Sequence, residues 1–249
     1  SEHGIEVKGA SLKLGTMLGR KDSVVKQNNE GILFLLKKNK VTYFNGTGSF
    51  VAKVDGGWSL KVSGDKEEDL VAKNVVVATG SAPRELSGLP FDEKKVLSND
   101  GALRIEGVPK KLGVIGAGVI GLELGSVWRR LGAEVTVLEA MPDFLPVADQ
   151  AVAKEALKVF TKQGLNIQTG VKIGEVKTTA KSITVPYTDS KGEEQSISVE
   201  RLIVSIGRVP HTEGLGVDTV GLKLDERGFV VVDEDCRTNL PNVWAVGDV

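Results

Sequence analysis

Three glycines and one acidic residue form the pattern in this chain that most clearly indicates a binding function. The glycines are Gly116, Gly118 and Gly121, and the acidic residue is Glu139. A Gly-x-Gly-x-x-Gly turn that opens a helix presents backbone N–H groups and the positive end of the helix dipole, which together favour a phosphate. A carboxylate at the end of the next strand can accept hydrogen bonds from a ribose. The spacing therefore predicts a dinucleotide site.

Each glycine of this turn has a separate physical role. Gly116 allows the tight turn, Gly118 lets the backbone approach a pyrophosphate without a Cβ in the way, and Gly121 lets the helix pack close to the sheet. Because the phosphates meet backbone N–H groups, the predicted site needs no Lys or Arg side chain.

Two strands and one helix must position these residues. The apolar run Leu112–Ile115 predicts a buried strand before the turn, and Glu134–Leu138 predicts a second strand that ends at Glu139. Between the strands, apolar residues repeat at helical spacing, and Gly132 follows as a helix-terminating glycine. These apolar residues are Ile120, Leu124, Val127 and Leu131. This context distinguishes the motif from an isolated glycine-rich turn, which is weak evidence alone.

The rest of the chain alternates strand and helix patterns, which predicts an α/β fold with parallel sheets and a small antiparallel meander. Helices are predicted over Gly31–Lys38 and over Gln150–Gln163, the latter capped by Asp149 and ended by Gly164. The remaining predicted strands are Val41–Phe44, Ser49–Val54, Trp58–Val62, Val75–Ala78, Asn166–Thr169, Ile173–Lys177, Ser182–Tyr187, Gln195–Ser198, Arg201–Ile206 and Asn242–Val246. Two sequences, Asn45-Gly46 and Asp55-Gly56-Gly57, are typical of hairpin turns.

Composition narrows the classes of function. The chain has 249 residues, 41% hydrophobic content and a formal net charge of −1, which fits one or two globular domains and makes a nucleic-acid partner unexpected. No run approaches the roughly 18 apolar residues of a membrane span, so no membrane association is predicted. The single cysteine, Cys236, permits neither an internal disulfide nor a multi-cysteine metal site, and no metal is predicted. Neither His3 nor His211 is assigned a catalytic role.

The segment Val114–Glu139, with sequence VIGAGVIGLELGSVWRRLGAEVTVLE, resembles the NAD-binding segment of the dihydrolipoamide dehydrogenases, a family of FAD- and NAD-dependent disulfide oxidoreductases. The resemblance extends to Val76–Ser81, Ser205–Pro210 and Thr238–Asp248, and so covers nearly the whole chain in order. It implies two Rossmann-like domains, with the NAD domain inserted into the FAD domain. Their implied boundaries are residues 1–108 for the FAD domain, 109–235 for the NAD domain and 236–249 for the return to the FAD domain.

The resemblance also implies which residues contact each cofactor. Glu139 would hold the adenosine ribose of NAD, and Glu123 would help to place the nicotinamide. The implied NAD residues are Gly116, Ala117, Gly118, Val119, Ile120, Gly121, Leu122, Glu123, Glu139, Ile173 and Gly207. The implied FAD residues are Gly48, Thr79, Gly80, Ser81 and Asp248. No residue of the chain is predicted to be a catalytic acid, base or nucleophile.

By the same resemblance, the whole protein would pass electrons from dihydrolipoamide through a disulfide and FAD to NAD⁺. It would act as a homodimer within a 2-oxoacid dehydrogenase complex, bound to the E2 component and its lipoyl domain. The implied compartment is the cytoplasm of a bacterium or the mitochondrial matrix of a eukaryote. The first FAD fingerprint, the redox disulfide and the dimerisation domain of the family are not among these residues, so the chain is expected to be an inactive internal fragment.

Three alternatives stay open from the sequence. A disulfide reductase of the glutathione or mercuric type would share the architecture, but its glutathione members use NADPH and prefer basic residues where this chain has Glu139-Ala-Met141. An NAD-binding module without turnover would describe the isolated fragment. A single-domain Rossmann dehydrogenase is disfavoured by the second nucleotide-type strand ending at Ala78-Thr79-Gly80 and by Gly247-Asp248.

Overall fold

The fold comes from a computed structural model that describes residues 9–249. It is an α/β structure, as predicted. The helices within the described residues are α1 (Leu14–Lys38), α2 (Asn99–Ala102), α3 (Val119–Arg130), α4 (Gln150–Lys162) and α5 (Val217–Val220). The strands within them are β1 (Gly46–Val54), β2 (Gly57–Gly64), β3 (Glu68–Ala72), β4 (Val75–Val77), β5 (Ser81–Pro83), β6 (Val96–Leu97), β7 (Lys111–Ile115), β8 (Glu134–Leu138), β9 (Leu165–Gln168), β10 (Lys172–Ile173), β11 (Lys177–Thr178), β12 (Ile183–Thr188), β13 (Glu194–Val199), β14 (Arg201–Val204), β15 (Arg208–Pro210) and β16 (Val243–Ala245).

The chain divides into two compact units. Of the described residues, the first comprises 9–26 and 84–207, and the second comprises 27–83 and 208–249. In chain order, residues 84–207 of the first unit are therefore inserted between the two stretches of the second. The domain boundaries implied by the resemblance, after residues 108 and 235, stay a prediction.

The first unit is built on a five-stranded parallel sheet of order β6-β14-β7-β8-β9. Its central strands β14, β7 and β8 are largely apolar because both of their faces are buried. Val114 lies opposite Ile203 on one side and Val137 on the other, and all three side chains are fully buried. The predicted strand–turn–helix–strand motif is therefore the centre of this unit.

Helices α3 and α4 cover this sheet, and their ends follow the sequence signals. Leu122, Leu124 and Trp128 of α3 are buried in the core of the unit. Gly132, with φ of 114°, follows α3. The Asp149 side chain accepts hydrogen bonds from the first turn of α4, which confirms the predicted cap.

An antiparallel meander of β10, β12, β11 and β13 completes the first unit. Ile183 and Val185 of β12 are fully buried and belong to a second core cluster that includes strands of the parallel sheet. The prediction of one continuous strand Ile173–Lys177 is wrong, because β10 and β11 are separate and meet β12 in different registers. The gap faces Pro186, which lacks an N–H group and so cannot donate to the ladder.

The second unit contains an antiparallel sheet of order β1-β2-β3, a parallel pair of β4 and β16, and an antiparallel pair of β5 and β15. Phe50 and Trp58 pack edge to face with ring centroids 5.7 Å apart. They share a core with Val77 and Val243 of the parallel pair. The turn at Asp55-Gly56-Gly57 joins β1 to β2, as the hairpin signal predicted.

Three predictions in the N-terminal part are wrong. The helix predicted over Gly31–Lys38 begins at Leu14. The predicted strand Val41–Phe44 is irregular, and Asn45-Gly46 forms no hairpin because β1 begins at Gly46. The sequence signal was weak because Gly15 and Gly19 near the start of α1 have low helix propensity.

Candidate dinucleotide-binding site

The turn from β7 to α3 leaves the start of the helix open. Gly118 occupies the N-cap position, and no side chain caps the first N–H groups of α3. The first turn of any helix has N–H groups without intrahelical partners, and an anion satisfies them well. The first turn of α3 contains no acidic residue that would repel such an anion. The helix start is therefore suited to a phosphate.

The three glycines differ in what surrounds them. A Cβ at Gly116 would lie 2.4 Å from the carbonyl oxygen of Ser205, and one at Gly121 would lie 2.2 Å from the carbonyl oxygen of Gly116. Neither position therefore has room for a side chain, because backbone atoms lie too close. A Cβ at Gly118, in contrast, would meet nothing within 4 Å. The space above Gly118 is open, which fits its predicted role of letting a ligand approach.

The Glu139 carboxylate lies at this turn. One of its oxygens, Oε2, accepts a hydrogen bond of 2.7 Å from the Ala117 N–H, and Oε1 accepts one of 2.8 Å from the Met141 N–H. Glu139 is only half-buried, so the carboxylate keeps solvent access. The structure thus brings the predicted acidic residue to the predicted turn. It also shows that this carboxylate fixes the backbone of the turn.

Ser205 is a residue of this site that the motif did not identify. It follows β14, and its hydroxyl donates to the carbonyl oxygens of Ile115 at 3.1 Å and Gly116 at 3.2 Å. A Cβ at Gly121 would lie 2.5 Å from the same Oγ atom. Besides the resemblance of Ser205–Pro210, its sequence signal is its position directly after a buried strand, because neighbouring parallel strands have their carboxyl ends at the same edge of the sheet.

The other predicted NAD residues have mixed environments. Leu122 is 2% exposed and belongs to the core, so only its backbone could face a ligand, whereas Glu123 is exposed. Ile173 packs against the cluster that contains Ile115 and Leu138, the residues directly before Gly116 and Glu139. The remaining predicted positions, Val119, Ile120 and Gly207, are exposed or half-buried.

The predicted FAD residues lie in the second unit. Thr79 and Asp248 both follow strands of the parallel pair β4–β16, whose registered ends are Val77 and Ala245. The Thr79 hydroxyl donates to the carbonyl oxygen of His211 at 2.7 Å. Gly80 has φ of 70°, and a Cβ there would meet nothing within 4 Å. These residues therefore share one edge of the pair.

Gly48 is placed differently from the other predicted FAD residues. It lies in β1, paired with Val62 of β2, and is exposed. Among the described residues, no hydrogen bond joins it to Thr79 or Asp248.

Cys236 is exposed, and its thiol forms no disulfide.

The match to a protein family decides the class of protein. The family model described as pyridine nucleotide-disulphide oxidoreductase matches residues 2–249. The chain belongs to this family. Over 248 residues it is 54% identical to the dihydrolipoyl dehydrogenase of Cupriavidus necator, a match that covers 100% of this chain and 52% of that protein. It is 42% identical to the mitochondrial dihydrolipoyl dehydrogenase of Schizosaccharomyces pombe, with 98% of this chain and 48% of that protein covered. The chain thus spans about half the length of these relatives.

Solved structures have the same fold. LpdA from Mycobacterium tuberculosis matches with a TM-score of 0.86 and 25% identity, over 97% of this chain and 52% of that one. The HOCl-induced flavoprotein disulfide reductase RclA from Escherichia coli, in its Cu(II) complex, matches with a TM-score of 0.74 and 25% identity, over 96% and 56%. Both structures extend well beyond the matched region.

No helix within residues 9–249 is long and apolar enough to cross a membrane.

Proposed function

We propose that the chain is the nucleotide-binding part of a flavoprotein that oxidises dihydrolipoamide with NAD⁺ through FAD and a redox disulfide. The single observation that carries this proposal is the 54% identity, along the whole chain, to a relative named dihydrolipoyl dehydrogenase. Members of this family use FAD and NAD. The cofactors supply the hydride chemistry, and the protein supplies binding and orientation.

The geometry of the first unit supports the NAD part of the proposal. On this proposal, Gly116–Glu123 hold the pyrophosphate, Glu139 binds the adenosine ribose, and Ile173 and Gly207 contact the cofactor. The open N-terminus of α3 and the free space at Gly118 supply what a pyrophosphate requires. Glu139 would also repel the 2′-phosphate of NADP, so the site is suited to NAD.

In the second unit, Thr79, Gly80, Ser81 and Asp248 would line FAD, with Gly48 as a further contact. Thr79 and Asp248 fit this role because they leave neighbouring parallel strands at the same edge. The proposed partners are a second copy of the whole protein and the E2 component of a 2-oxoacid dehydrogenase complex. Its relatives include bacterial and mitochondrial proteins, and the proposed compartment is accordingly the bacterial cytoplasm or the mitochondrial matrix.

A second candidate function is reduction of another disulfide substrate, and the similarity to RclA favours it. At 25% identity this likeness is much weaker than the 54% identity to a dihydrolipoyl dehydrogenase, so we place it second.

The test compares two substrate pairs on the full-length protein. We expect dihydrolipoamide with NAD⁺ to reduce the flavin and yield NADH, and oxidised glutathione with NADPH to give no turnover. The 249 residues alone, supplied with FAD, serve as the control and should yield no NADH, because their single cysteine cannot form the disulfide. A full-length protein without flavin absorption, or one driven only by NADPH, would contradict the proposal.

A further inference from the structure

The turn Thr79–Ser81 is held residue by residue by a distant segment, Arg208–His211. The Thr79 hydroxyl donates to the His211 carbonyl oxygen at 2.7 Å, and the His211 N–H donates to the Gly80 carbonyl oxygen at 2.9 Å. The Arg208 guanidinium donates two hydrogen bonds to Ser81, one from Nε to the hydroxyl Oγ at 2.7 Å and one from Nη2 to the carbonyl oxygen. Every residue of the turn is therefore bonded to this one segment.

The pairing of β5 with β15 explains why the Ser81 carbonyl needs a side-chain donor. The β5–β15 pair places Ser81 opposite Pro210 and Pro83 opposite Arg208. Because the neighbouring pair Gly80–His211 is hydrogen-bonded, the alternation of an antiparallel ladder makes Ser81–Pro210 a non-hydrogen-bonded pair. The Ser81 carbonyl therefore points away from the partner strand. Arg208 reaches it diagonally across the face that the two residues share.

We propose that Arg208 is a positioning residue for flavin binding, acting through Ser81 and the turn that contains it. The inference rests on the proposed function, in which Thr79–Ser81 line FAD. The pairing of β5 with β15 extends over only three residue pairs, so side-chain bonds form a large share of what fixes the turn. Arginine is needed because its planar guanidinium donates to the hydroxyl and the carbonyl at once, whereas a lysine ammonium cannot reproduce this fork.

The experiment uses the full-length protein with Arg208→Met, Arg208→Lys and, as the matched control, Arg227→Met, an exposed arginine of the same unit. Each apoprotein is titrated with FAD and with NAD⁺, and its thermal midpoint and the visible spectrum of its bound flavin are recorded. We expect Arg208→Met to weaken FAD binding about tenfold, the equivalent of about 1.4 kcal/mol. NAD⁺ affinity should stay within twofold, the flavin spectrum should shift, and Arg208→Lys should recover part of the FAD affinity. Arg227→Met should match the wild type.

Two results would overturn the inference. One is wild-type FAD affinity and spectrum in Arg208→Met. The other is a loss of FAD and NAD⁺ binding together with a lower thermal midpoint in both Arg208 variants, which indicates a general structural role. A wild-type protein that binds no FAD would instead refute the proposed function, so the two failures are distinguishable.

Discussion

Three glycines of one turn and helix, Gly118, Gly121 and Gly125, provide a matched series that separates packing from ligand binding. A Cβ at Gly121 would lie 2.2 Å from the Gly116 carbonyl oxygen and 2.5 Å from the Ser205 hydroxyl. A Cβ at Gly125 would make ordinary contacts at 3.5 Å, and one at Gly118 would meet nothing within 4 Å. The same change to alanine is therefore expected to have three different effects.

The magnitudes follow from these distances. Gly121→Ala forces backbone to move, at about 3 kcal/mol for overpacking, offset by about 1 kcal/mol of helix propensity, so the free energy of unfolding should fall by about 2 kcal/mol. Gly125→Ala should raise it by about 1 kcal/mol, since it gains the same helix propensity without a clash. Gly118→Ala should lower it by only about 0.5 kcal/mol, because alanine is a poorer N-cap than glycine.

The assay measures stability and binding separately. Hydrogen exchange at the amides of β7 and β8 reports the opening of the first unit, and calorimetry reports NAD⁺ affinity. We expect Gly118→Ala to weaken NAD⁺ binding at least tenfold, or about 1.4 kcal/mol, because its methyl group fills the space left for the pyrophosphate. The reasoning is refuted if Gly121→Ala is as stable as the wild type, or if Gly118→Ala binds NAD⁺ unchanged.

Three further predictions concern charge, pH and local stability. Glu139→Gln should reduce the ratio of NAD⁺ affinity to NADP⁺ affinity measured by calorimetry. The reason is that the Glu139 carboxylate and the 2′-phosphate of NADP⁺, if about 4 Å apart, repel by roughly 4 kcal/mol at an effective dielectric of 20. Equal affinity of the wild type for NAD⁺ and NADP⁺ would contradict this. Burial raises the pKa of Asp92, but three backbone N–H donors outweigh it and leave that pKa below its usual value. The contribution of Asp92 to stability is therefore complete above the pKa of the unfolded state and is lost as the pH falls through the pKa of the folded state. Asp92→Asn should accordingly make the free energy of unfolding fall less steeply as the pH is lowered. An acid dependence identical to that of the wild type would refute this prediction. Hydrogen exchange should be faster at Val76 and Val246, residues that are 60% and 42% exposed, than at the buried Val137. Equal protection of the three amides would contradict this prediction.

The sequence predicted the turn between β7 and α3 well because the determinants of its conformation are local. Gly116, Gly118 and Gly121 and the flanking strands lie within one short segment, and each position imposes its own steric requirement. Ser205 could not be found in this way. It is far from Gly116 in sequence, and the two meet only because β14 and β7 are neighbours in the sheet.

The errors in the fold have a similar physical origin. The first part of helix α1 contains a polar run and Gly15 and Gly19, which have low helix propensity, so the sequence signal for the start of the helix was weak. The short strands β5 and β15 escaped prediction because each contains a proline, which normally argues against a strand. Pro83 and Pro210 are tolerated here because they occupy positions whose N–H groups would not join the ladder.

Both candidate sites follow one rule of parallel sheets, that ligand-binding residues gather beyond the carboxyl ends of the strands. In the first unit, Gly116, Glu139 and Ser205 follow three adjacent strands, and the turn is braced by a hydrogen bond from the Ala117 N–H to the Glu139 carboxylate and one from the Ser205 hydroxyl to the Gly116 carbonyl oxygen. In the second unit, the described residues that follow β4 at Thr79 are held by hydrogen bonds with His211 and Arg208. On the proposed function, in which Thr79–Ser81 line FAD, a change at Arg208 should therefore alter flavin binding although Arg208 itself is not among the implied FAD residues.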